Sequence, residues 1–491
     1  MINFKFAFVS VSLLALNINE LNAAKAKRPN ILIAIADDAT WFSWKQYHNE
    51  NSKYINTPAF DYIAKQGVVF TNCYTQNPKS APSRASLLTG RNSWQLEEAS
   101  MHCSVFPSKY DVYPDVLERN GYQVGFTGKG WAPGSWEKGG FKRNPAGPEF
   151  NQISYENVPS KGISKNNYPA NFELFLNSKK ENEPFCFWFG ALEPHRDYEF
   201  GCGIRNGKRL EMANVLPFWP DNDIVRTDLL DYAFEIEWFD KQLMKMIKIL
   251  EEKGELENTI IVVTADNGMS FPRAKGNVFD AGVHLPLAIM WMDKVKGGRT
   301  VDDFISFRDF APTFVEVAGI KPVKGMTGNS FLTQLLSTRS GRICEKRNFC
   351  LLGREVHETF SYPVRAIKKD KWLYVKNYNT TIAGDEPLDI AFRNGYDKGW
   401  IVNYPTDIEV LREYENGKRN YYDLAVAPRE SEQLYDMTTD PYCLINLANK
   451  REFFIIKNEL IHKMEKELRK DKDPRILGNG AVFESYPFYT N

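Results

Sequence analysis

Two apolar runs, each delivering acids to its far end, constrain this chain more than any other feature. Asn30-Ile31-Leu32-Ile33-Ala34-Ile35-Ala36 leads into Asp37-Asp38, and Thr259-Ile260-Ile261-Val262-Val263-Thr264-Ala265 leads into Asp266-Asn267-Gly268. Continuous apolar runs without polar alternation read as strands covered on both faces, the habit of parallel sheets. In such sheets ligands gather outside the carboxyl ends of the strands. One run alone would read as a strand followed by a solvated Asp at a turn. Two of them gather acids at one sheet edge, where adjacent carboxylates repel unless a cation sits between them. A hard divalent ion with oxygen ligands, Ca2+ above all, fits such a place.

Further strands are expected at Gln123–Thr127, Phe185–Gly190 and Leu287–Trp291, with helical stretches between. That alternation predicts a mostly parallel sheet with helices on both faces. Val225–Leu250 is the clearest helix, because Leu229, Leu230, Ala233, Ile236 and Leu243 recur at helical spacing and Gly254 follows its end. After Cys350 the texture changes. Trp372-Leu373-Tyr374-Val375 reads as a strand, and Glu432-Gln433-Leu434-Tyr435-Asp436 precedes Asp440-Pro441.

Between the two acid-tipped strands lies Ser80-Ala81-Pro82-Ser83-Arg84, followed at once by Ala85-Ser86-Leu87-Leu88-Thr89-Gly90-Arg91. By themselves these residues open a helix. A plain serine hydroxyl with no Gly-x-Ser-x-Gly elbow around it is a poor nucleophile. Together with the two strands, however, the segment closely resembles the signature of formylglycine-dependent sulfatases, members of the alkaline-phosphatase-like superfamily, in the bacterial form with Ser at the first position. The resemblance runs from Pro29 to about Leu447. It implies that a separate formylglycine-generating enzyme oxidises Ser80 to 3-oxoalanine. The hydrate of that aldehyde carries one hydroxyl to attack sulfur and a second whose collapse to the carbonyl expels sulfate.

By the same resemblance, Asp37, Asp38, Asp266 and Asn267 match the Ca2+ ligands, with modified Ser80 and a substrate sulfate oxygen completing the shell. Arg84 and the calcium hold the nucleophile as an oxyanion. Lys129, in Gly128-Lys129, contacts the hydrated aldehyde and the sulfate, and Lys275 reaches the bridging sulfate oxygen. His195 closes Phe187-Trp188-Phe189-Gly190-Ala191-Leu192-Glu193-Pro194-His195 and would protonate the leaving group. Singly, each has a plainer reading, as a lysine after a turn or a structural histidine. The implied fold is α/β: a large, mostly parallel sheet sandwiched by helices, with a smaller C-terminal α+β subdomain. That subdomain has an antiparallel sheet and a helix from Arg451–Arg469. The expected division is a signal peptide over 1–24, a catalytic domain over 25–350 and the C-terminal subdomain over 351–491.

One position departs from the family pattern. Many sulfatases carry a histidine two residues after the lysine equivalent to Lys129, and here Trp131 stands there. The segment Gly128-Lys129-Gly130-Trp131-Ala132-Pro133-Gly134 is similar to a carbohydrate-sulfatase subgroup that includes heparan N-sulfatase-like and ulvan sulfatases. His102 is the candidate substitute, its alternative being a loop histidine. His284, in Asp280-Ala281-Gly282-Val283-His284, faces the site or caps a strand. Arg354 and His357 are basic groups suited to an anionic sugar, or else a solvated basic turn. Asp309 reads as structural.

The chain has 491 residues, 43% hydrophobic and 25% charged, which are globular values for a large core with a smaller appended unit. Its formal net charge is zero, so no field suited to nucleic acid exists and a sulfated sugar must be drawn by a local pocket. Lys5 before the apolar stretch Phe6–Leu16, with Ala23-Ala24 beyond, has the form of an export signal. That stretch is too short for a permanent membrane span, and a periplasm is the expected destination. The cysteines number seven, so at least one stays unpaired; Cys344 and Cys350 stand close enough in sequence to close a small loop, which spacing does not establish.

These readings converge on an exported sulfatase acting on a sulfated polysaccharide or its oligosaccharides, ulvan or another marine algal polymer first, a heparan-type glycosaminoglycan next. Two alternatives stand beside it. A phosphoesterase of the same superfamily would use an unmodified nucleophile and two metals. A non-catalytic sulfated-sugar-binding protein would result if Ser80 stays unmodified.

Overall fold

The computed structural model describes residues 27–489 except 322, 358, 359, 379–403 and 428, and omits the side chains of 51, 357, 360–362 and 426. The expected export signal lies outside the described residues.

The main sheet runs in the order Arg299–Ser306, Val68–Tyr74, Leu287–Met290, Thr259–Ala265, Asn30–Ala36, Phe185–Gly190, Gln123–Gly128, with the short strand His284–Leu285 also paired to Val68–Tyr74. All neighbours are parallel except at Leu287–Met290, which runs against both of its partners, and at His284–Leu285. Every residue of Asn30–Ala36 and Thr259–Ala265 is buried, as continuous apolar runs require. Helices cover the sheet in two groups. Pro58–Gln66 and Tyr168–Ser178 pack on the 30-residue helix Asp223–Glu252, while Ser80–Thr89, Tyr113–Arg119 and Phe310–Val317 pack on one another. The long helix starts where Asn222 caps it, its side-chain oxygen accepting from Ile224 N at 3.1 Å and Val225 N at 3.0 Å.

A second sheet, Phe349–His357, Phe360–Lys369, Trp372–Asn377 and Glu432–Asp436, is antiparallel throughout. The helix Phe454–Lys470 covers it with Leu460, Met464 and Leu468. Two helices, Pro405–Glu415 and Asn420–Val426, precede its last strand. The α/β class and the antiparallel C-terminal sheet are therefore as expected.

Two long strands of the main sheet escape the sequence reading. Arg299–Ser306 does so because Asp302 and Asp303 interrupt its apolar pattern at a bulge between Val301 and Phe304. Asp303 is buried there and accepts from Cys344 N at 3.0 Å and Gln334 Nε2 at 2.9 Å. Val68–Tyr74 carries Thr71 and Asn72 in its middle. All seven cysteines are free; Cys350 is buried with its thiol toward Ile305 O, and Cys344 makes no bridge to it. Among the described residues no helix is long and apolar enough to cross a membrane.

Candidate active site

Strand register builds the site. Ala36 is paired with Ala265, so Asp37-Asp38 and Asp266-Asn267 leave adjacent strands side by side, all four fully buried. Asp38 turns at once with φ +69°, a left-handed conformation that Asp tolerates because its short side chain bonds locally. Its N–H donates to Asp266 Oδ1 at 3.1 Å, and Asn267 Nδ2 donates to Asp38 Oδ1 at 2.7 Å. On the other side Gly128 and Gly190 end their strands face to face. A Cβ on Gly128, where φ is +79°, would stand 2.0 Å from Gly190 O, so only glycine permits the approach. It lets Lys129 N–H bond Gly190 O at 2.7 Å.

Ser80 opens the buried helix Ser80–Thr89, whose free N–H groups favour negative charge at its first residue. Its Oγ lies 3.2 Å from Asp37 Oδ1 and 3.5 Å from Asn267 Oδ1, and accepts from Lys129 Nζ at 3.2 Å. One turn on, Arg84 donates from Nε to Asp266 Oδ2 at 2.9 Å and from Nη1 to the carbonyls of Lys129 at 2.8 Å and Gly130 at 3.0 Å. Its Nη2, 3.7 Å from Asp37 Oδ2, has no hydrogen-bond partner among the described residues. Lys129 Nζ pairs with Asp37 Oδ2 at 2.5 Å, Lys275 Nζ with Asp38 Oδ2 at 2.6 Å, and His195 Nε2 lies 3.8 Å from the same Asp38 oxygen.

These pairings decide the charge states. Burial alone would raise the Asp37 carboxyl, but Lys129, His195 and Arg84 outweigh it and hold the pKa at about 2. Burial likewise works against the charged form of Asp38, yet Lys275 and His195 keep its pKa below the ordinary value. For Lys275 burial lowers the pKa, and Asp38 and Asp37 more than restore it. The centre is thus a network of paired acids and cations, buried except toward His195, where electrostatic interactions are strong.

The structure brings Ser80, Arg84, Lys129, His195, Lys275, Asp37, Asp38, Asp266 and Asn267 to one place. Trp131 is buried against Phe106, and its Nε1 donates to Ala81 O at 2.9 Å. His102 is half-buried beside Cys103, 3.5 Å from its sulfur, on the segment whose Ser100 carbonyl accepts from Asn77 Nδ2 at 3.2 Å. Arg354 is buried and donates to Gly276 O, next to Lys275. His284 corrects an expectation. Its ring stacks between Trp41 at 4.6 Å and Tyr74 at 4.5 Å, Nε2 faces Thr71 O at 2.7 Å and Nδ1 faces Asp280 at 3.3 Å. Both nitrogens are used inside the core, so it is not free to meet a substrate. His357 lies in the strand Phe349–His357, its side chain outside the described residues. Sequence reasoning missed Arg196, whose partners stand far from it along the chain.

Residues 29–320 match the family model described as Sulfatase, and 274–383 the model described as N-sulphoglucosamine sulphohydrolase, C-terminal. The chain belongs to the sulfatase family. It is a sulfuric ester hydrolase. Among its relatives is a protein of Formosa agariphila named ulvan-active sulfatase, 27% identical over 458 residues, covering 91% of this chain and 81% of that one. Human N-sulphoglucosamine sulphohydrolase is 24% identical over 508 residues, 94% of either chain. A solved structure with its substrate D-glucosamine-2-N,6-O-disulfate has the same fold, with a TM-score of 0.66 at 20% identity over 91% of this chain and 99% of that one.

This sulfatase offers a metal ion mainly hard oxygen atoms. Asp37, Asp38 and His195 place ligand atoms within 4.8 Å of one another, and Asn267 Oδ1 faces Ser80. Asp266 is already engaged, Oδ1 by the N–H groups of Asp38 and Asn267 and Oδ2 by Arg84, so it would ligate through its remaining lone pairs. Carboxylate and amide oxygens are the donor set of a Ca2+ site.

Proposed function

We propose that this sulfatase is exported and removes sulfate from a polysaccharide or its oligosaccharides, using an aldehyde hydrate made from Ser80. The observation that carries this reading is the surroundings of Ser80 Oγ. Among the described residues it has an acid, an amide and an ammonium group in reach and no imidazole to take its proton, so the native hydroxyl lacks the Ser–His pairing of the common serine nucleophiles. Asp37, Asp38, Asp266 and Asn267 would hold the Ca2+, which when bound supplies positive charge beside the nucleophile. Arg84 directs its unpartnered Nη2 toward the same place. Lys129 and Lys275 neutralise the sulfuryl oxygens, and His195 gives a proton to the departing oxygen.

A sulfated sugar is supported as substrate by the ulvan-active relative, with a glycosaminoglycan as the second class, supported by the N-sulphoglucosamine sulphohydrolase relative. Arg84, Lys129 and Lys275 gather beside Asp37 and Asp38 in a chain with zero net charge, so attraction is local. His102, Arg354 and His357 are proposed to border the sugar. The proposed units remain the signal peptide 1–24, the catalytic domain 25–350 and the C-terminal subdomain 351–491. A formylglycine-generating enzyme is the required partner.

Mass measurement of the peptide containing residue 80, taken from fully active enzyme, tests this. It should be two hydrogens lighter than the serine form. Finding only serine there in active protein overturns the mechanism, and two zinc ions per chain would favour the phosphoesterase.

A further inference from the structure

His195 is two-fifths exposed, and among the described residues the hydrogen bond that orients its ring runs from Nδ1 to the carbonyl of Arg196 at 2.6 Å. A carbonyl only accepts, so Nδ1 carries a proton, and Nε2, which would deliver the leaving-group proton from the doubly protonated ring, is turned toward Asp38 and the site. The ring is therefore aimed by wherever the Arg196 peptide is held. That peptide is held by its own side chain. The Arg196 guanidinium grips Asp228 of the long helix with two bonds of 2.7 Å and donates from Nε to Ser270 O at 2.7 Å. Its planar group lies 4.5 Å from the ring of Tyr198, 4.3 Å from Phe271 and 4.5 Å from Tyr404.

Two of these contacts reach further. Ser270 lies in the loop that Lys275 closes by bonding Met269 O at 3.0 Å, so one guanidinium ties the His195 loop to the Lys275 loop. Asp228 Oδ2 also accepts from Thr406 Oγ1 at 2.6 Å. Thr406 belongs to the helix Pro405–Glu415, beyond residue 383 where the second family match ends. The following helix, Asn420–Val426, receives Arg273 at Leu424 O at 2.6 Å, two residues before Lys275. The helical pair thus braces both loops from the C-terminal side.

We propose that Arg196 is a positioning residue, which through Asp228 and Thr406 sets the His195 ring and the Lys275 loop at a fixed separation for reaction. This rests on the roles of His195 and Lys275 proposed above. Arginine is required because one ammonium group cannot supply two parallel bonds, a third donor at a fixed angle and a flat face for three rings. The effect falls on rate more than binding, since small misplacement of a reacting group costs up to about 10²-fold.

The test uses the mature enzyme with Arg196→Lys, Thr406→Val, His195→Ala and the two double variants. Arg196→Lys breaks a buried pair and risks unfolding; Thr406→Val removes one bond and is the milder probe. In protein labelled with 15N at its six histidines, the His195 resonance should report Nδ1–H in the wild type and a mixture of tautomers in Thr406→Val. On sulfated ulvan oligosaccharides, kcat should fall about 10-fold with KM within about 2-fold, and this loss should shrink in the His195→Ala background to the part that acts through Lys275. Multiplicative losses, or an unmoved His195 resonance beside a lost kcat, would overturn the proposal. If His195→Ala itself leaves kcat intact, the acid role fails, while a moved tautomer would still establish the positioning.

Discussion

Trp131 is hydrogen-bonded to Ala81: the indole N–H, two residues past Lys129, holds the carbonyl of the residue after Ser80. An indole donates and does not accept, so the group at this position braces the helix start and takes no proton from it. Trp131→Phe should keep most of the packing against Phe106 and lose about 1 kcal/mol for the bond. Denaturant unfolding measures that loss; an unchanged midpoint would mean that the bond does not brace the helix.

Calcium binding and the fold of the centre should be separable by mutation. Asp38→Asn removes a charge that Lys275 balances, whereas Asp266→Ala also frees Arg84 Nε and two backbone N–H groups. Both variants should lose calcium by elemental analysis, with Asp266→Ala unfolding at the lower temperature. Equal unfolding temperatures would show that the anchoring bonds of Asp266 contribute nothing.

The leaving-group role proposed for His195 predicts a selective defect. A sugar oxygen needs a proton to depart and a nitrophenolate does not, so His195→Ala should slow a sulfated oligosaccharide by about 10²–10⁴-fold and 4-nitrophenyl sulfate far less. Equal losses on both substrates would remove His195 from that role and make Lys275 the next candidate.

Stability should depend on pH through Glu235. This carboxyl is fully buried on the long helix, and neither oxygen has a hydrogen-bond partner among the described residues. Burial first, and then Glu193, raises its pKa well above the ordinary value. A raised folded pKa means that the folded state holds the proton more tightly than the unfolded chain does. The resulting stability is complete below about pH 4.3, the unfolded value, and is lost as pH rises from there toward the folded pKa. Glu235→Gln should flatten the decline that sets in above the unfolded value of about pH 4.3 in urea titrations; parallel curves for the two proteins would refute a protonated Glu235.

The acid-tipped strands were legible because a run such as Thr259–Ala265 is apolar at nearly every position, and buried parallel strands demand that. Ser80 and Arg84 were legible because one helical turn fixes their relation within a short segment. His284 was misread for the opposite reason, since its stacking partners Trp41 and Tyr74 come from distant parts of the chain. Arg196 was invisible likewise: Asp228, Ser270 and Thr406 meet only in the folded protein, and no local pattern marks an arginine that will be enclosed. Asp303 hid a strand because a buried acid serving backbone N–H groups looks, in sequence, like a turn.

The neighbours of Val68–Tyr74 in the sheet are all supplied by residues 284–306, and Ser80 just beyond it is 1% exposed in the finished fold. Val68–Tyr74 therefore cannot take its place in the sheet until residues 284–306 have been made. If Ser80 is oxidised as proposed, the oxidising enzyme would have to reach its side chain before residues 284–306 pair with that strand. On that mechanism, a variant that speeds closure of this edge would emerge well formed and inert.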